Sequence, residues 1–156
     1  MAVDRQAMIE DGIPAEQMPD EGKCGRIPED ISYEDGAVVL SMLECISAVH
    51  NFGLKEGMKV LIYGAGPMGM GVANYLQIIG AHPVLVDGIQ QRLDYADERF
   101  GIKETINIQK QKLSEVYAQG SFDAVMDIVG STKILLEGTN YLKQWGILCS
   151  MGVLKG

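Results

Sequence analysis

The stretch that decides the fold runs from Val60 to Asp87, VLIYGAGPMGMGVANYLQIIGAHPVLVD. It holds an aliphatic run, a cluster of glycines, an amphipathic segment and a second aliphatic run ending on one carboxylate. Glycine inside a helix or strand costs roughly 0.5–1 kcal/mol relative to alanine, so a cluster at the join between them marks a place where backbone room is required. Gly64, Gly66 and Gly69 make the pattern G-x-G-x-x-G, and Asp87 lies 18 residues beyond the last of them.

Each position has a task in gripping a dinucleotide. The first glycine permits a tight turn, the second lets the backbone approach a pyrophosphate, and the third lets a helix pack closely on the strand. A helix opening at Pro67 and Met68 turns its unpaired N–H groups and the positive end of its dipole toward that phosphate. Pro67 suits the first helical turn, where its missing N–H is not needed. Asp87, followed by Gly88, closes the second strand, where a carboxylate accepts bonds from the adenosine ribose and repels a 2′-phosphate; this favours NAD over NADP. Arg92 is open to three readings: softening that preference, stacking on the adenine, or lying on the surface.

Outward from this stretch, strands and helices alternate. Lys59 to Tyr63 reads as a strand buried on both faces, and Met68, Val72, Leu76 and Ile79 mark one face of a helix stopped by Gly80. PVLVD is a second buried strand, with Pro83 tolerated at its first position. QQRLDYADERFG is a helix, ETINI a short strand, LSEVYAQ a helix, Ala124 to Ile128 a strand, KILLEGTNYL a helix, and GILCSMG a fifth strand. The expected fold is α/β, a Rossmann-type doubly wound parallel sheet of about five strands. Upstream, Ser32 and Asp35 resemble a capping box, and Val38, Val39, Met42, Leu43, Ile46 and Val49 recur at helical spacing, with a break expected near Gly36. Met1 to Arg26 is rich in Asp, Glu, Gly and Pro and reads as a polar arm (1–26) ahead of one dinucleotide-binding domain (27–156).

Composition narrows the partners. A formal charge of −8 argues against nucleic acid or an anionic membrane surface, and no apolar run reaches the roughly 18 residues of a membrane span. Cys24, Cys45 and Cys149 form no C-x-x-C pair and read as reduced thiols, and the charged start has no signal-peptide core, so a cytoplasmic location is expected.

Taken together, IPEDISYEDGA, LKEGMKVLIYGAGPMG, DGIQQRLDYADERFG and FDAVMDIVGS resemble the nucleotide-binding half of the medium-chain dehydrogenase/reductase family, the zinc alcohol and sorbitol dehydrogenase relatives, over about Ile27 to Val153. The resemblance implies further cofactor contacts. Ile128, Val129 and Gly130 resemble the turn that lies along the cofactor, and Met151, Gly152 and Val153 the backbone beside the nicotinamide; ordinary strand-end turns are the alternative reading. MLECIS resembles a segment where some members place a residue near the catalytic metal, which singles out Glu44 and Cys45. A core thiol and a solvated carboxylate are the plainer reading, and His50 reads as a helix-end cation.

The family's catalytic domain and its zinc ligands have no counterpart in the sequence, nor does the sixth strand. No catalytic or metal-binding residue is therefore assigned. The chain reads as the NAD-binding domain of a truncated or excised alcohol or polyol dehydrogenase. The open edge near Ile147 to Ser150 is expected to pair in a homodimer, or the domain to join a separate catalytic lobe. Two alternatives are a non-catalytic dinucleotide sensor and an S-adenosylmethionine methyltransferase. The Pro67-Met68 turn and the glycine spacing fit a pyrophosphate better than the latter.

Overall fold

In a computed structural model of the protein, residues 10–12, 14 and 27–153 are described, so most of the expected arm, including Cys24, lies outside the described residues. Two compact units divide the chain, one ending at Ser41 and the other beginning at Met42. Helix α1, Tyr33–Asn51, opens on Ser32, whose Oγ accepts the Asp35 N–H at 3.0 Å. The second half of the expected box differs: the Asp35 carboxylate accepts from the Ser32 hydroxyl at 2.9 Å. The break expected near Gly36 does not occur. A Cβ there would stand 2.5 Å from Ile27 Cδ1, the end of a side chain that can turn aside, so Gly36 marks a close contact within a continuous helix.

The second unit is built on five parallel strands in the order β3-β2-β1-β4-β5: β1 Lys59–Tyr63, β2 His82–Asp87, β3 Thr105–Asn107, β4 Phe122–Asp127 and β5 Leu142–Ser150. Helices α2 (Pro67–Ile78), α3 (Gln90–Phe100) and α4 (Thr132–Thr139) connect them, so the expected doubly wound α/β sheet is the fold. Chain order reverses between β1 and β4, and ligands of open α/β sheets bind beyond the strand ends at such a point.

One apolar layer holds Val60, Ile62, Leu85, Ala124 and Met126 against Cys45, Val49, Val72, Leu76 and Leu93. The other face carries Leu61, Tyr63, Val84, Val86 and Val125, with Leu113 and Tyr141. Leu43 is exposed, so the inward stripe in this part of α1 is Met42, Cys45 and Val49.

Other boundaries differ from expectation. LSEVYAQ forms only a 3₁₀ turn at Leu113–Glu115, because Leu113 alone of these three is buried and Gly120, at φ +70°, turns the chain into β4. Strand β4 begins at Phe122 and ends at Asp127, and α4 stops at Thr139 where Asn140 N–H returns to Glu137. Strand β5 begins four residues before Gly146, at Leu142, because Leu142 already pairs with Phe122; the register then shifts, and pairing resumes at Ile147 opposite Ala124. Trp145 takes φ +65° and is 92% exposed, so nothing in its packing demands tryptophan.

Candidate functional site

The three glycines of the turn answer three different demands. Gly64 has φ +108°, a region that side-chain-bearing residues avoid, and its N–H donates to Val86 across to β2 at 2.7 Å. Gly69 carries the tightest contact: a Cβ there would lie 1.7 Å from the Gly64 carbonyl oxygen, so the first turn of α2 rests on the glycine turn itself. Gly66 is the reverse. It is the N-cap of α2, has φ −78°, and a Cβ there would meet nothing within 4 Å. Pro67 occupies the first turn, and Met68 behind it accepts the Cys45 thiol on its carbonyl at 3.5 Å.

Asp87 ends β2 and does more than face outward. Its Oδ2 accepts the Ala65 N–H at 2.7 Å and its Oδ1 the Ile89 N–H at 2.8 Å, so one carboxylate pins both the glycine turn and the start of the next connection. Arg92 Nη1 stands 3.5 Å from Oδ2, so its half-exposed side chain is paired with Asp87. Gly88 lies beside Gln109, whose side chain a Cβ would crowd at 3.3 Å.

At the end of β4, a residue the sequence did not single out organises the opposite wall. Asp127 is fully buried, and its carboxylate accepts Val129 N–H at 2.8 Å, Gly130 N–H at 3.0 Å and Ser131 N–H at 2.9 Å. Its carbonyl accepts the N–H groups of Met151 and Gly152, which ties the end of β5 to the same point, while Ile128 N–H donates to Tyr63. Gly130 and Gly152 are packed backbone to backbone: a Cβ on Gly152 would lie 2.0 Å from Gly130 N, and one on Gly130 2.1 Å from the Val153 carbonyl. Glycine is thus demanded there by the turn itself. Val129 and Val153 are exposed at its rim. The one signal for Asp127 in the sequence was a carboxylate closing an otherwise apolar strand.

The structure brings together the glycine turn with Asp87 and Arg92, and Ile128–Gly130 with Met151–Val153. It does not gather Glu44, Cys45 and His50 into a centre. Cys45 is buried, with burial and then the Glu44 charge pushing its thiol above its ordinary range, whereas Glu44 is exposed. His50 is 2.8 Å from the Tyr75 hydroxyl. Among the described residues no group of three His, Cys, Asp or Glu could hold a metal ion, so the described chain does not fit a zinc centre. Nor is any described helix long and apolar enough to cross a membrane.

Known proteins give a consistent picture. L-arabinitol 4-dehydrogenase of Aspergillus oryzae is 32% identical over 123 residues, covering 78% of this chain and 32% of that protein. L-threonine 3-dehydrogenase of Yersinia enterocolitica is 29% identical over 133 residues, 82% of this chain and 38% of that protein. The chain therefore spans about a third of the length of these curated relatives. Among solved structures, L-idonate 5-dehydrogenase of Escherichia coli shares the fold at a TM-score of 0.77 and 22% identity, over 90% of this chain and 40% of that one. Residues 67–156 match the family described as zinc-binding dehydrogenase, and the chain belongs to that family, within the medium-chain dehydrogenases, as its nucleotide-binding region.

Proposed function

We propose that this chain is the NAD(H)-binding domain of an alcohol or polyol dehydrogenase whose reaction is hydride transfer between a secondary alcohol and NAD. The observation that carries the reading is the contrast inside the glycine turn: Gly69 is closed against Gly64, while the space where a Cβ on Gly66 would sit is empty at the N-terminus of α2. That is the room a pyrophosphate needs to reach backbone N–H groups. When bound, the dinucleotide supplies the ring that accepts the hydride; the residues here bind and orient it. Asp87 takes the adenosine ribose, and its charge opposes a 2′-phosphate. Ile128 to Gly130 lie along the dinucleotide, and Met151 to Val153 beside its nicotinamide.

Alcohol oxidation by this chain alone is not part of the proposal. Removing the hydroxyl proton as the hydride leaves needs a metal or a positioned acid–base pair in a dry pocket, and the described residues offer no such group at the strand ends. The domain is proposed to act in the cytoplasm, as a homodimer or with a catalytic lobe.

The test is a titration of the purified chain with NADH, NADPH and S-adenosylmethionine in one buffer. NADH is expected to saturate the site, to bind several-fold tighter than NADPH, and to lose that advantage in Asp87→Asn. Equal wild-type affinities for the two dinucleotides would remove Asp87 from its role. Binding of S-adenosylmethionine in place of NADH would overturn the reading as a whole.

A further inference from the structure

Tyr63 is the last residue of β1, and its side chain shares a face of the sheet with Leu61, Val84 and Val86. Leu85 packs in the opposite layer, and strand alternation puts the Asp87 carboxylate on that side with it. What lies against the Tyr63 side chain is therefore separate from the surface assigned to the dinucleotide. The residue is 3% exposed, and its hydroxyl is buried with no hydrogen-bond partner among the described residues. An unpaired buried hydroxyl destabilises the fold, and a partner that arrives on binding removes that penalty.

Two short elements leave a hollow over this face. The connection from β3 to β4 holds only the 3₁₀ turn Leu113–Glu115. Helix α4 comes close to the sheet through Gly138, where a Cβ would stand 2.6 Å from Val125 Cγ1 and 3.8 Å from Tyr63 Cε2. Between them is a cavity of about 310 Å³ lined by Tyr63, Tyr141, Ile108, Leu113 and Ile134. Lys112 borders it from the connection, and Glu137, three residues from Ile134 on one face of α4, borders it from the helix. Among the described residues neither charge has an ion-pair partner, and the two do not pair with each other. Burial, and after it the charge of Glu137, pushes both phenols above their ordinary range, so the carboxylate faces both rings and each keeps its proton.

The hollow thus offers one negative and one positive charge, both unpaired, beside apolar walls and a buried neutral oxygen. We propose that it is a binding site for a free α-amino acid with an aliphatic side chain. The ammonium donates to the Glu137 carboxylate and to the Tyr63 oxygen, the carboxylate accepts from Lys112 Nζ, and the side chain lies among Ile108, Leu113 and Ile134. A zwitterion meets both charges and brings no net charge into the cavity, whereas a simple amine or a fatty carboxylate meets only one. The site uses no residue assigned to the dinucleotide and is independent of that reading.

The test is titration of the full chain, followed by heteronuclear NMR, with leucine, with 3-methylbutylamine (leucine without its carboxylate) and with 4-methylpentanoate (leucine without its ammonium). Leucine is expected to saturate the site with a Kd of about 1 mM or tighter, within reach of a ligand of its size. Loss of either charge is expected to weaken binding roughly 3- to 10-fold, the range of one or two net hydrogen bonds. Glu137→Gln should weaken leucine and the amine by that factor and leave 4-methylpentanoate unchanged. Lys112→Met should weaken leucine and 4-methylpentanoate and leave the amine unchanged. Both residues are exposed, so these variants keep the fold. Tyr63→Phe should raise the urea midpoint of the free chain, because it removes an unpaired buried hydroxyl, and should weaken leucine. No saturation by leucine at about ten times the expected Kd would overturn the inference. So would 4-methylpentanoate binding as tightly as leucine, Glu137→Gln leaving leucine unchanged, or Tyr63→Phe lowering the midpoint with leucine binding intact. The dinucleotide reading is decided separately by the NADH titration.

Discussion

Alanine at Gly66 and alanine at Gly69 add the same methyl group to one turn and should fail in opposite ways. At Gly69 the new Cβ would stand 1.7 Å from the Gly64 carbonyl oxygen, an atom of the backbone that no rotamer change can move. Reaching even the closest separation real Cβ atoms tolerate means opening α2 from the turn by about 1.3 Å, an overpacking strain of about 3 kcal/mol or more in a region joined to β1 and β2. Gly66, at φ −78° with nothing within 4 Å, accepts alanine without steric strain; lost unfolded-chain freedom and the poorer N-cap roughly offset, so stability should change by less than about 1 kcal/mol. The methyl then occupies the space assigned to the pyrophosphate, and NADH affinity should fall by about 100-fold or more. Urea unfolding is best followed by far-ultraviolet circular dichroism, because Trp145 is 92% exposed and reports little of the core. Gly66→Ala binding NADH like wild type, or Gly69→Ala unfolding at the wild-type midpoint, would refute the division of roles.

Three further outcomes are expected. Trp145→Gly should stabilise the chain by about 0.5–1 kcal/mol, because the residue sits at φ +65° and buries almost nothing; an unchanged or lowered urea midpoint would count against strain there. Glu104 is held below its ordinary carboxylate range, first by the Tyr117 hydroxyl at 2.7 Å and then by Lys59 at 3.0 Å, with burial opposing. A depressed carboxylate stabilises the fold above its unfolded pKa and loses that contribution as the pH falls through its folded value. The advantage of wild type over Glu104→Gln, below about 1 kcal/mol for so exposed a pair, should therefore be present at about pH 7, begin to fall near the ordinary Glu range of about pH 4, and be lost as the pH drops through the lower folded value. Light scattering should give the mass of a homodimer joined through β5, whose Leu148 is exposed; a monomer at high concentration would exclude that interface.

Most of the sheet was legible because β1, β2 and β4 are buried on both faces, and a buried parallel strand must be a continuous apolar run. The glycine turn was legible because its constraint falls on residue type. What escaped had its cause elsewhere in the chain. Gly36 reads as a helix breaker until Ile27 is known to lie against it. Lys143-Gln144-Trp145 reads as the connection between a helix and the fifth strand, yet the ladder to β4 runs on both sides of it. Asp127 went unnoticed because its partners are three backbone N–H groups, which leave no pattern of side chains. Tyr63 was hidden for a related reason: tyrosine fits an apolar strand, and only packing shows that its hydroxyl is buried with no hydrogen-bond partner among the described residues.

The strand order also carries a consequence for the speed of folding. Strand β1 pairs with β2 over a short loop, Val60 opposite Pro83, but with β4 over a long one, Val60 opposite Ala124. Closing the longer loop surrenders more chain entropy before any contact compensates, so the β1–β2 unit should assemble first and the β1–β4 seam late. The crevice assigned to the dinucleotide lies on that seam and is absent from the early nucleus. Bound NADH should accordingly slow unfolding while leaving the refolding rate almost unchanged, lengthening the native lifetime of the domain without hastening its formation.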